Sequence, residues 1–431
     1  MTQAQTSKTV NSVAGDLRNR VTTDEIGSVT HLVVTGTLNQ SDFSVFYDMT
    51  NLLELDLTDS KIEAYSTTHP TTGVVTKYPE NGVPSIGWSR HGITTIKLPS
   101  TAKSIVGTMG GRLLTSIVIP NTVDSIGEGA FNGCWALPSV KLPDGVRSIG
   151  DNAFNSCRAL TSITLPSSLK NIGNNAFQNC YGLTSIEIPA GVDSLGRSVF
   201  QNCTTLVSAV IPEKITKLPS NLFYGCKVLN HVEIKGNITS IGERAFYACA
   251  QLASFPFGSS LETMESTAFS DSGINSVDLS ATKLTTLPNA SFYNCKSLVS
   301  VNLHTSAEGG LTTIGTEVFR GCTTLTGDVV IPSTVTSIGG NMFTNTKIIS
   351  ATLPEGLETI PTSFFNNCSS LKSVVIPESV YSISNDVFSG CSSLESIVLP
   401  EGLATIGSSA FANCSALQKI DLPRELLTIV N

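Results

Sequence analysis

Phenylalanine recurs along this chain at a nearly constant interval, and no other feature constrains the fold as strongly. Thirteen of the 18 phenylalanines follow one another at steps of 23 residues in most cases and of 22, 24 or 27 in the rest. They are Phe131, Phe154, Phe177, Phe200, Phe223, Phe246, Phe269, Phe292, Phe319, Phe343, Phe365, Phe388 and Phe411. A period of this size is typical of a solenoid, in which each repeat stacks on its neighbours because it cannot bury its own apolar face.

Each repeat combines a short strand with a turn that carries the phenylalanine. In the segment Ser-Val-Lys-Leu the polar and apolar side chains alternate, so Val140 and Leu142 are expected to face the core. Pro143 ends this strand because it has no N–H group to donate. The Ser-Ile-Gly segment at 148–150 is expected to turn the chain. The stretch through Phe154 predicts one helical or 3-10 turn, with phenylalanine as its buried anchor.

Two other residue types recur at fixed places after the phenylalanine. The second residue after it is glycine or asparagine in ten of the thirteen repeats, and both types tolerate the left-handed conformation that closes a turn. The third residue is cysteine in eleven repeats. These are Cys134, Cys157, Cys180, Cys203, Cys226, Cys249, Cys295, Cys322, Cys368, Cys391 and Cys414.

The cysteines are interpreted as buried free thiols that act as small apolar side chains. No Cys-x-x-Cys pair exists, so the spacing does not fit a zinc site. Ser272 and Thr346 replace cysteine in two repeats, and both repeats are one residue shorter between the phenylalanine and the next strand. The cysteine therefore belongs to the packing of that turn.

The strand pattern begins before the first regular phenylalanine. Seventeen strands of this type can be counted between Val29 and Leu417, and residues 58–92 interrupt them. A stack must shield its first exposed face. The sequence therefore predicts two regions. Residues 1–92 form an N-terminal capping region with two leucine-rich-type repeats and an insertion, and residues 93–431 form the solenoid.

The repeated string Val-x-Ser-Ile-Gly-x-x-Ala-Phe-x-x-Cys-x-x-Leu-x-Ser-Ile-x-Leu-Pro closely resembles the BspA-like leucine-rich repeat family of bacterial surface proteins. Residues 114–423 match it nearly throughout, and residues 34–39 and 52–58 look like the family's N-terminal part. The resemblance implies a right-handed, curved α/β solenoid in a secreted or surface-anchored protein of anaerobic gut or oral bacteria. It also implies adhesion to host matrix proteins or to other cells. No binding residue of the family can be carried over, because the motif positions are structural.

Composition and motifs argue against several other classes of protein. The net charge of -8 and the lack of a basic cluster disfavour a nucleic-acid partner. No apolar run approaches the roughly 20 residues that a membrane span needs. The N-terminus has no apolar stretch typical of a signal peptide, so an extracellular or cell-surface location is inferred from the resemblance alone. No GxSxG, HExxH, P-loop or GxGxxG motif occurs, so neither catalysis nor a metal or cofactor is expected.

The outward-facing strand column is the first candidate binding surface. Its middle is acidic, at Glu187, Glu233 and Asp278, and its C-terminal part is apolar, notably at Val375 and Val398. Exposed apolar rows mark partner sites, but valine also simply suits a strand.

A second candidate is the position just after the cysteine. Three consecutive repeats place Trp135, Arg158 and Tyr181 there, about one strand spacing apart. They predict a cation–π row or a platform for a sugar ring or a peptide. The alternative is that they only cover the edge of the stack.

Two weaker candidate sites are a row of tyrosines and a loop. Tyr224, Tyr247 and Tyr293 form a third row, and residues 304–310 predict a protruding loop. We expect a non-catalytic cell-surface or secreted binding or adhesion protein. Its partner would be a host matrix or cell-surface protein, or a glycan. A structural surface or envelope protein with no specific ligand is the alternative.

Overall fold

A computed structural model describes residues 5–68, 71, 73–86, 92–304, 306 and 308–430. The chain divides into two compact units, Met1–Ile215 and Thr216–Asn431. Each unit is a solenoid of stacked repeats that contribute two short strands each, here named strand A and strand B in chain order. Strand A is the strand that the sequence predicts, and strand B contains the Ser-Ile pair.

Most A strands pair in parallel with a counterpart in a neighbouring repeat and form several short sheets. In the first unit they are His31–Leu38, Glu54–Asp56, Thr95–Lys97, Ser116–Val118, Ser139–Lys141, Ser162–Thr164, Ser185–Glu187 and Ser208–Ile211. In the second unit they are His231–Ile234, Ser276–Asp278, Ser300–Asn302, Thr326–Val330, Lys347–Thr352 and Ser373–Val375. Val140 pairs with Ile163, residue for residue with the next repeat, and is 7% exposed as expected of an inward position.

Three repeats have no assigned strand where the sequence predicts strand A. They lie at residues 253–257, 396–398 and 419–421. In the first of them Pro256 occupies the outward position, and proline has no N–H group for a ladder. Phe255 and Phe257 on either side of it remain nearly buried, so the apolar alternation persists without the strand.

Strand B is a second parallel strand in a segment that the sequence suggested to be a turn. In the first unit it comprises Gly82–Val83, Ser104–Ile105, Ser125–Ile126, Ser148–Ile149, Asn171–Ile172 and Ser194–Leu195. In the second unit it comprises Lys217–Leu218, Ser240–Ile241, Thr263–Met264, Thr286–Leu287, Thr313–Ile314, Ser337–Ile338, Thr359–Ile360, Ser382–Ile383, Thr405–Ile406 and Thr428–Ile429. The turn interpretation of Ser-Ile-Gly is thus corrected, since the Ser-Ile pair forms a ladder with its neighbours.

The N-terminal part contains the helices of the described chain. Strand Ser7–Ser12 pairs with strand A of the next segment, and it is followed by helices Leu17–Arg20 and Thr23–Ser28. The second helix begins with a capping box, in which Thr22 and Glu25 satisfy each other's backbone N–H groups. A 3-10 turn, Gln40–Phe43, and helix Ser44–Asp48 follow.

Residues 58–92 contain an excursion from the repeat. Ser60–Ile62 pairs with the end of His31–Leu38, and Tyr65–Thr68 then pairs antiparallel with Val75–Tyr78 as a hairpin. Gly82–Val83 rejoins the B strands by pairing with Ser104–Ile105. Residues 69–70, 72 and 87–91 lie outside the described residues.

The predicted helical or 3-10 turn at the phenylalanine is instead a run of hydrogen-bonded turns. No helix is assigned after Asp48 in the described part of the chain. The Cys157 N–H group donates to the Phe154 carbonyl within the repeat, at 3.2 Å. Alternate N–H groups leave the repeat, from Phe154 to the Ala176 carbonyl and from Ser156 to the Gln178 carbonyl, both at 2.7 Å. An α-helix keeps these bonds within one segment, so bonding between repeats takes the place of helix formation.

Two left-handed positions per repeat make this turn possible. All thirteen residues two places after the phenylalanine have positive φ, including the exceptions Ser156, Ala248 and Asp271. All thirteen residues two places before it also have positive φ. Residue types at that second position vary, with Arg244 and Glu317 among them. The left-handed conformation there could therefore not be predicted from the residue types.

The phenylalanine column forms the centre of the core in each unit. In the first unit, rings from Phe131 to Phe200 stack with centroids 5.0–5.7 Å apart. In the second, rings from Phe223 to Phe411 stack with centroids 5.0–5.9 Å apart. Ring planes in both units lie within 24° of parallel, so each column is a stack of nearly parallel rings.

The cysteine column packs against the phenylalanine backbone. All eleven thiols are free, and ten are buried. The Cys157 thiol donates to the Phe131 carbonyl of the preceding repeat at 3.2 Å, and Cys180 does the same to Phe154. Burial raises the pKa of Cys134 and Cys180 to about 12. The cysteines therefore serve packing, as the sequence indicated.

We expect the ten buried thiols to resist alkylation by N-ethylmaleimide in the native protein at neutral pH. The thiolate is the reactive form, and burial blocks access of the reagent to all ten thiols. Burial also raises the pKa of several of them, for example that of Cys368 to about 12. Cys414 is only partly buried and should react first. Mass spectrometry should find all eleven labelled in denaturant. Rapid native labelling of Cys157 or Cys249 would contradict the packed column.

Candidate binding site

The side chains that follow the cysteine form a row along one edge of the first unit. Trp135, Arg158 and Tyr181 occupy this position in consecutive repeats, and the structure adds Arg112 from the repeat before. The Ala136 N–H group donates to the Arg112 carbonyl at 3.1 Å, as Ala159 does to Trp135 at 3.0 Å, so the two positions are equivalent. We name Arg112, Trp135, Arg158 and Tyr181 the arginine–aromatic ladder.

Sequence reasoning missed Arg112 because its repeat lacks both marker residues. Met109 replaces the phenylalanine, and Cys134 donates to the Met109 carbonyl at 3.2 Å as later cysteines do to phenylalanines. Gly111 stands where cysteine would be. The available signal was the register of the following apolar residue, Leu114, which occupies the place of Leu137 in the next repeat.

Both arginines stack on the same indole. The guanidinium carbons of Arg112 and Arg158 each lie 4.0 Å from the Trp135 ring centroid. Arg158 is also 5.8 Å from the Tyr181 ring centroid. These distances are within the range of cation–π attraction. Both arginines are exposed, Tyr181 is 38% exposed and Trp135 is half-buried, so the ladder is a continuous surface accessible to solvent.

The ladder is locally cationic on an acidic protein. Among the described residues, neither Arg112 nor Arg158 has a carboxylate within ion-pair distance. The edge segments 108–115, 131–138 and 154–161 contain these two arginines and no aspartate or glutamate, and 177–184 has no charged residue. The chain as a whole carries a net charge of -8. The two guanidinium groups are therefore available to an external anion.

Amide side chains are hydrogen bonded to one another in the same repeats. Asn155 Nδ2 donates to Gln178 Oε1 at 3.0 Å, and Asn202 Nδ2 donates to Asn179 Oδ1 at 3.0 Å. The Tyr181 hydroxyl donates to Asn179 Oδ1 at 3.5 Å. Bonds of this kind between repeats hold polar donors and acceptors in place beside the aromatic rings.

The acidic residues of the outward strand column are not adjacent to one another. Glu187 is in the first unit, where it pairs with Val210 and helps line a groove with Ser162, Thr164 and Ser185. In the second unit, Glu233 and Asp278 are both exposed, and the repeat that carries Pro256 separates them in the chain.

Asp278 is hydrogen bonded within its own strand region. The Ser280 backbone N–H donates to Asp278 Oδ1 at 3.0 Å and Asn302 Nδ2 donates to the same oxygen at 3.0 Å. The bond from the Ser280 backbone is the main reason that the pKa of Asp278 lies below its ordinary value. Asp278 is therefore ionised at neutral pH.

The apolar part of the outward column is solvent-exposed. Val375 is 61% exposed and Val398 is 81% exposed. Thr352 pairs with both Val330 and Val375, so it interrupts the apolar row between them. Val375 and Val398 occupy this position in consecutive repeats, so the exposed apolar row beyond Thr352 extends over two repeats.

The two remaining candidates are only partly assembled. Tyr224 and Tyr247 stack with ring centroids 4.9 Å apart, whereas Ser270 occupies the repeat before Tyr293. In the loop at 304–310, the Ser306 hydroxyl donates to the Thr282 carbonyl at 2.8 Å. Residues 305 and 307 lie outside the described residues. The protruding loop therefore stays a prediction.

Across the described ranges, no group of three or more histidine, cysteine, aspartate or glutamate side chains could hold a metal ion. No described helix combines the length and apolar character that crossing a membrane requires.

The fold is that of a leucine-rich-repeat solenoid. Its parallel strands are stacked, its phenylalanines and cysteines form buried columns, and the residues at its exposed edge vary from repeat to repeat. The chain belongs to the BspA type leucine-rich repeat family. The family model, described as a BspA type leucine rich repeat region (6 copies), matches residues 110–230, 216–326 and 304–418. This confirms the resemblance seen in the repeated motif.

The chain is also similar to solved structures, one of which reaches a TM-score of 0.50 and supports the same fold. A leucine rich cell surface protein from Faecalibacterium prausnitzii A2-165 is 24% identical, with 85% of this chain and 94% of that chain covered and a TM-score of 0.50. A leucine-rich repeat protein from Bacteroides ovatus ATCC 8483 is 26% identical, with 85% and 89% covered and a TM-score of 0.46. Comparison with curated proteins gives no match.

Proposed function

We propose that this chain is a non-catalytic binding or adhesion protein, secreted or held at the cell surface, that recognises a macromolecule through its repeat surface. The arginine–aromatic ladder is the observation that carries the proposal. All three of its predicted members are linked in one row by cation–π distances, whereas the tyrosine row is interrupted at Ser270. Membership of the BspA type family supports a surface repeat protein. The partner class is a host matrix or cell-surface protein, or a glycan, and not a nucleic acid.

Rigid support of the ladder favours a binding role. The backbone next to each ladder side chain is hydrogen bonded to the neighbouring repeat, for example from Ala159 to Trp135. A surface that is already ordered loses little conformational entropy when a ligand binds. Buried columns of phenylalanine and cysteine leave the exposed, variable positions as the ones available for recognition.

The domain division predicted above is part of the same proposal. Residues 1–92 would act as the cap and residues 93–431 as the binding solenoid. The additional strand Ser7–Ser12 and the helices before residue 50 are consistent with a cap, because they add elements that the repeats lack. The right-handed, curved course implied by the family remains a prediction. The outward positions are proposed as secondary binding positions, Glu187 in the first unit and Glu233, Asp278, Val375 and Val398 in the second.

A binding panel tests the proposal directly. Host matrix proteins and glycans are immobilised and probed by surface plasmon resonance with the wild type and with a Trp135→Ala/Tyr181→Ala double variant. We expect saturable binding to at least one ligand, weakened about tenfold or more in the variant, since exposed aromatic side chains often dominate binding energy. Tyr381→Ala is the matched control because Tyr381 is 50% exposed and lies outside the ladder.

Two outcomes would contradict the proposal. If no ligand of the panel binds saturably, the alternative of a structural surface protein without a specific ligand is favoured. If a ligand binds but the double variant retains full affinity, the ladder is not the contact surface. Circular dichroism of each variant shows whether the solenoid remains folded.

A further inference from the structure

We propose that the arginine–aromatic ladder binds an acidic glycan, whose sulfate or carboxylate groups are held by the exposed guanidinium groups of Arg112 and Arg158 on either side of Trp135. This inference rests on the proposed binding function and specifies its ligand class. Acidic glycans share an oxyanion attached to a sugar ring. Cationic donors bind the oxyanion, and an aromatic face packs against the ring. The ladder places both kinds of group in consecutive repeats of the first unit.

Electrostatics is the first reason. Both guanidinium carbons lie 4.0 Å from one ring centroid, so they are no more than 8.0 Å apart. Two like charges at this distance repel each other. No carboxylate in the described residues lies within ion-pair distance of either group to offset that repulsion. The Trp135 ring lies between the two groups, so an oxyanion that binds at the solvent side of either guanidinium would offset the repulsion.

Hydrogen-bonding capacity is the second reason. A guanidinium group presents five N–H donors in a planar fork that matches the oxygens of a sulfate or carboxylate. Stacking on the Trp135 ring uses the face of each guanidinium group and restricts its motion. The Tyr181 ring, 5.8 Å from the Arg158 guanidinium carbon, adds a second aromatic surface for the adjoining sugar.

The backbone of this edge favours a glycan over a peptide. A peptide that binds by strand addition needs unpaired backbone N–H and C=O groups. Here the Ala136 N–H donates to the Arg112 carbonyl, and the Ala159 N–H donates to the Trp135 carbonyl. Recognition therefore relies on side chains. The Asn155 amide nitrogen already donates to Asn152 Oδ1 and Gln178 Oε1, so the guanidinium groups are the principal donors at this edge.

Calorimetric titration of the full chain with defined oligosaccharides tests the inference. The probes are a heparin octasaccharide, which is sulfated, an oligogalacturonate of similar length, which is carboxylated only, a neutral dextran oligosaccharide and a poly-glutamate peptide. We expect an acidic oligosaccharide to bind more tightly than the neutral one, with an affinity that falls as salt rises. The sulfated and carboxylated arms identify which oxyanion is preferred.

Charge-neutral variants locate the site. Arg112→Gln/Arg158→Gln should weaken binding of the acidic oligosaccharide about tenfold or more, because both bidentate donors are lost. Arg147→Gln/Arg197→Gln removes the same charge from two exposed arginines of the same unit outside the ladder. That control should change the affinity by no more than about twofold. Unchanged circular dichroism in both variants shows that the fold is retained.

Each contrary result has a definite meaning. Equal affinity of the Arg112→Gln/Arg158→Gln variant and the wild type overturns the inference, as does equal binding of the neutral oligosaccharide. Tighter binding of poly-glutamate assigns the ladder to an acidic peptide instead. If the acidic sugars fail while another ligand of the panel binds in a Trp135-dependent way, the inference fails and the proposed function stands. If no ligand binds at all, both fail.

Discussion

Replacing Phe292 with alanine is expected to lower the free energy of unfolding by about 3–5 kcal/mol, the usual cost of removing a buried phenylalanine ring. Phe292 is fully buried in the second unit. Its ring lies 5.5 Å from that of Phe269 and 5.7 Å from that of Phe319, measured between centroids. The variant would therefore lose contacts on both faces and leave a cavity in the middle of the column.

The end of the same column supplies a matched control. Phe411 is only partly buried, and among the described residues its ring stacks on Phe388 alone, at 5.2 Å. Phe411→Ala should therefore cost clearly less than Phe292→Ala. Urea unfolding followed by circular dichroism measures the loss, and amide hydrogen exchange shows whether it is local, since repeat arrays need not unfold in one step. Equal losses at the two positions would contradict the two-sided stack as the source of stability.

Gly196→Ala is expected to destabilise the first unit by about 1–3 kcal/mol, the range for forcing extra atoms into a packed site. Gly196 follows strand Ser194–Leu195. A Cβ atom there would lie 2.4 Å from the Asn174 backbone nitrogen and 2.5 Å from the Gly173 carbonyl carbon. Backbone atoms cannot swing aside as a flexible side chain can. The glycine is needed for the close approach of two repeats, because its φ does not fall in the left-handed region.

Gly27 provides the comparison for this substitution. It lies in helix Thr23–Ser28, and a Cβ atom added there would meet nothing within 4 Å. Gly27→Ala should leave stability unchanged or raise it by about 0.5–1 kcal/mol, because alanine favours the helix. Thermal unfolding of both variants gives the comparison. A loss at Gly27 as large as that at Gly196 would show that close approach is not the cause.

Much of the repeat could be predicted from the sequence because equal spacing places equivalent residues in one column. The buried Phe154 and Cys157, the inward Val140 and the left-handed glycine and asparagine positions all follow from that spacing. Trp135, Arg158 and Tyr181 could be placed in one row for the same reason. Their role in binding stays a prediction.

Other features depended on bonds that the sequence does not display. The run of turns around Phe154 was predicted to be helical, since the residues suit a helical turn. In the structure, alternate N–H groups bond to the next repeat, which prevents a helix. Arg112 was missed because Met109 and Gly111 replace the phenylalanine and cysteine that mark its position in other repeats. The left-handed column before the phenylalanine was missed because its residue types vary.

The sequence by itself determined the repeat length, the buried columns and the family, because each of these depends only on which residue types recur at which interval. The tertiary structure decided the bonds between repeats, the close approach at Gly196 and the stacking of Arg112 and Arg158 on one indole. These features depend on distances between atoms of neighbouring repeats. Such distances are set when the repeats stack, and a one-dimensional pattern does not contain them.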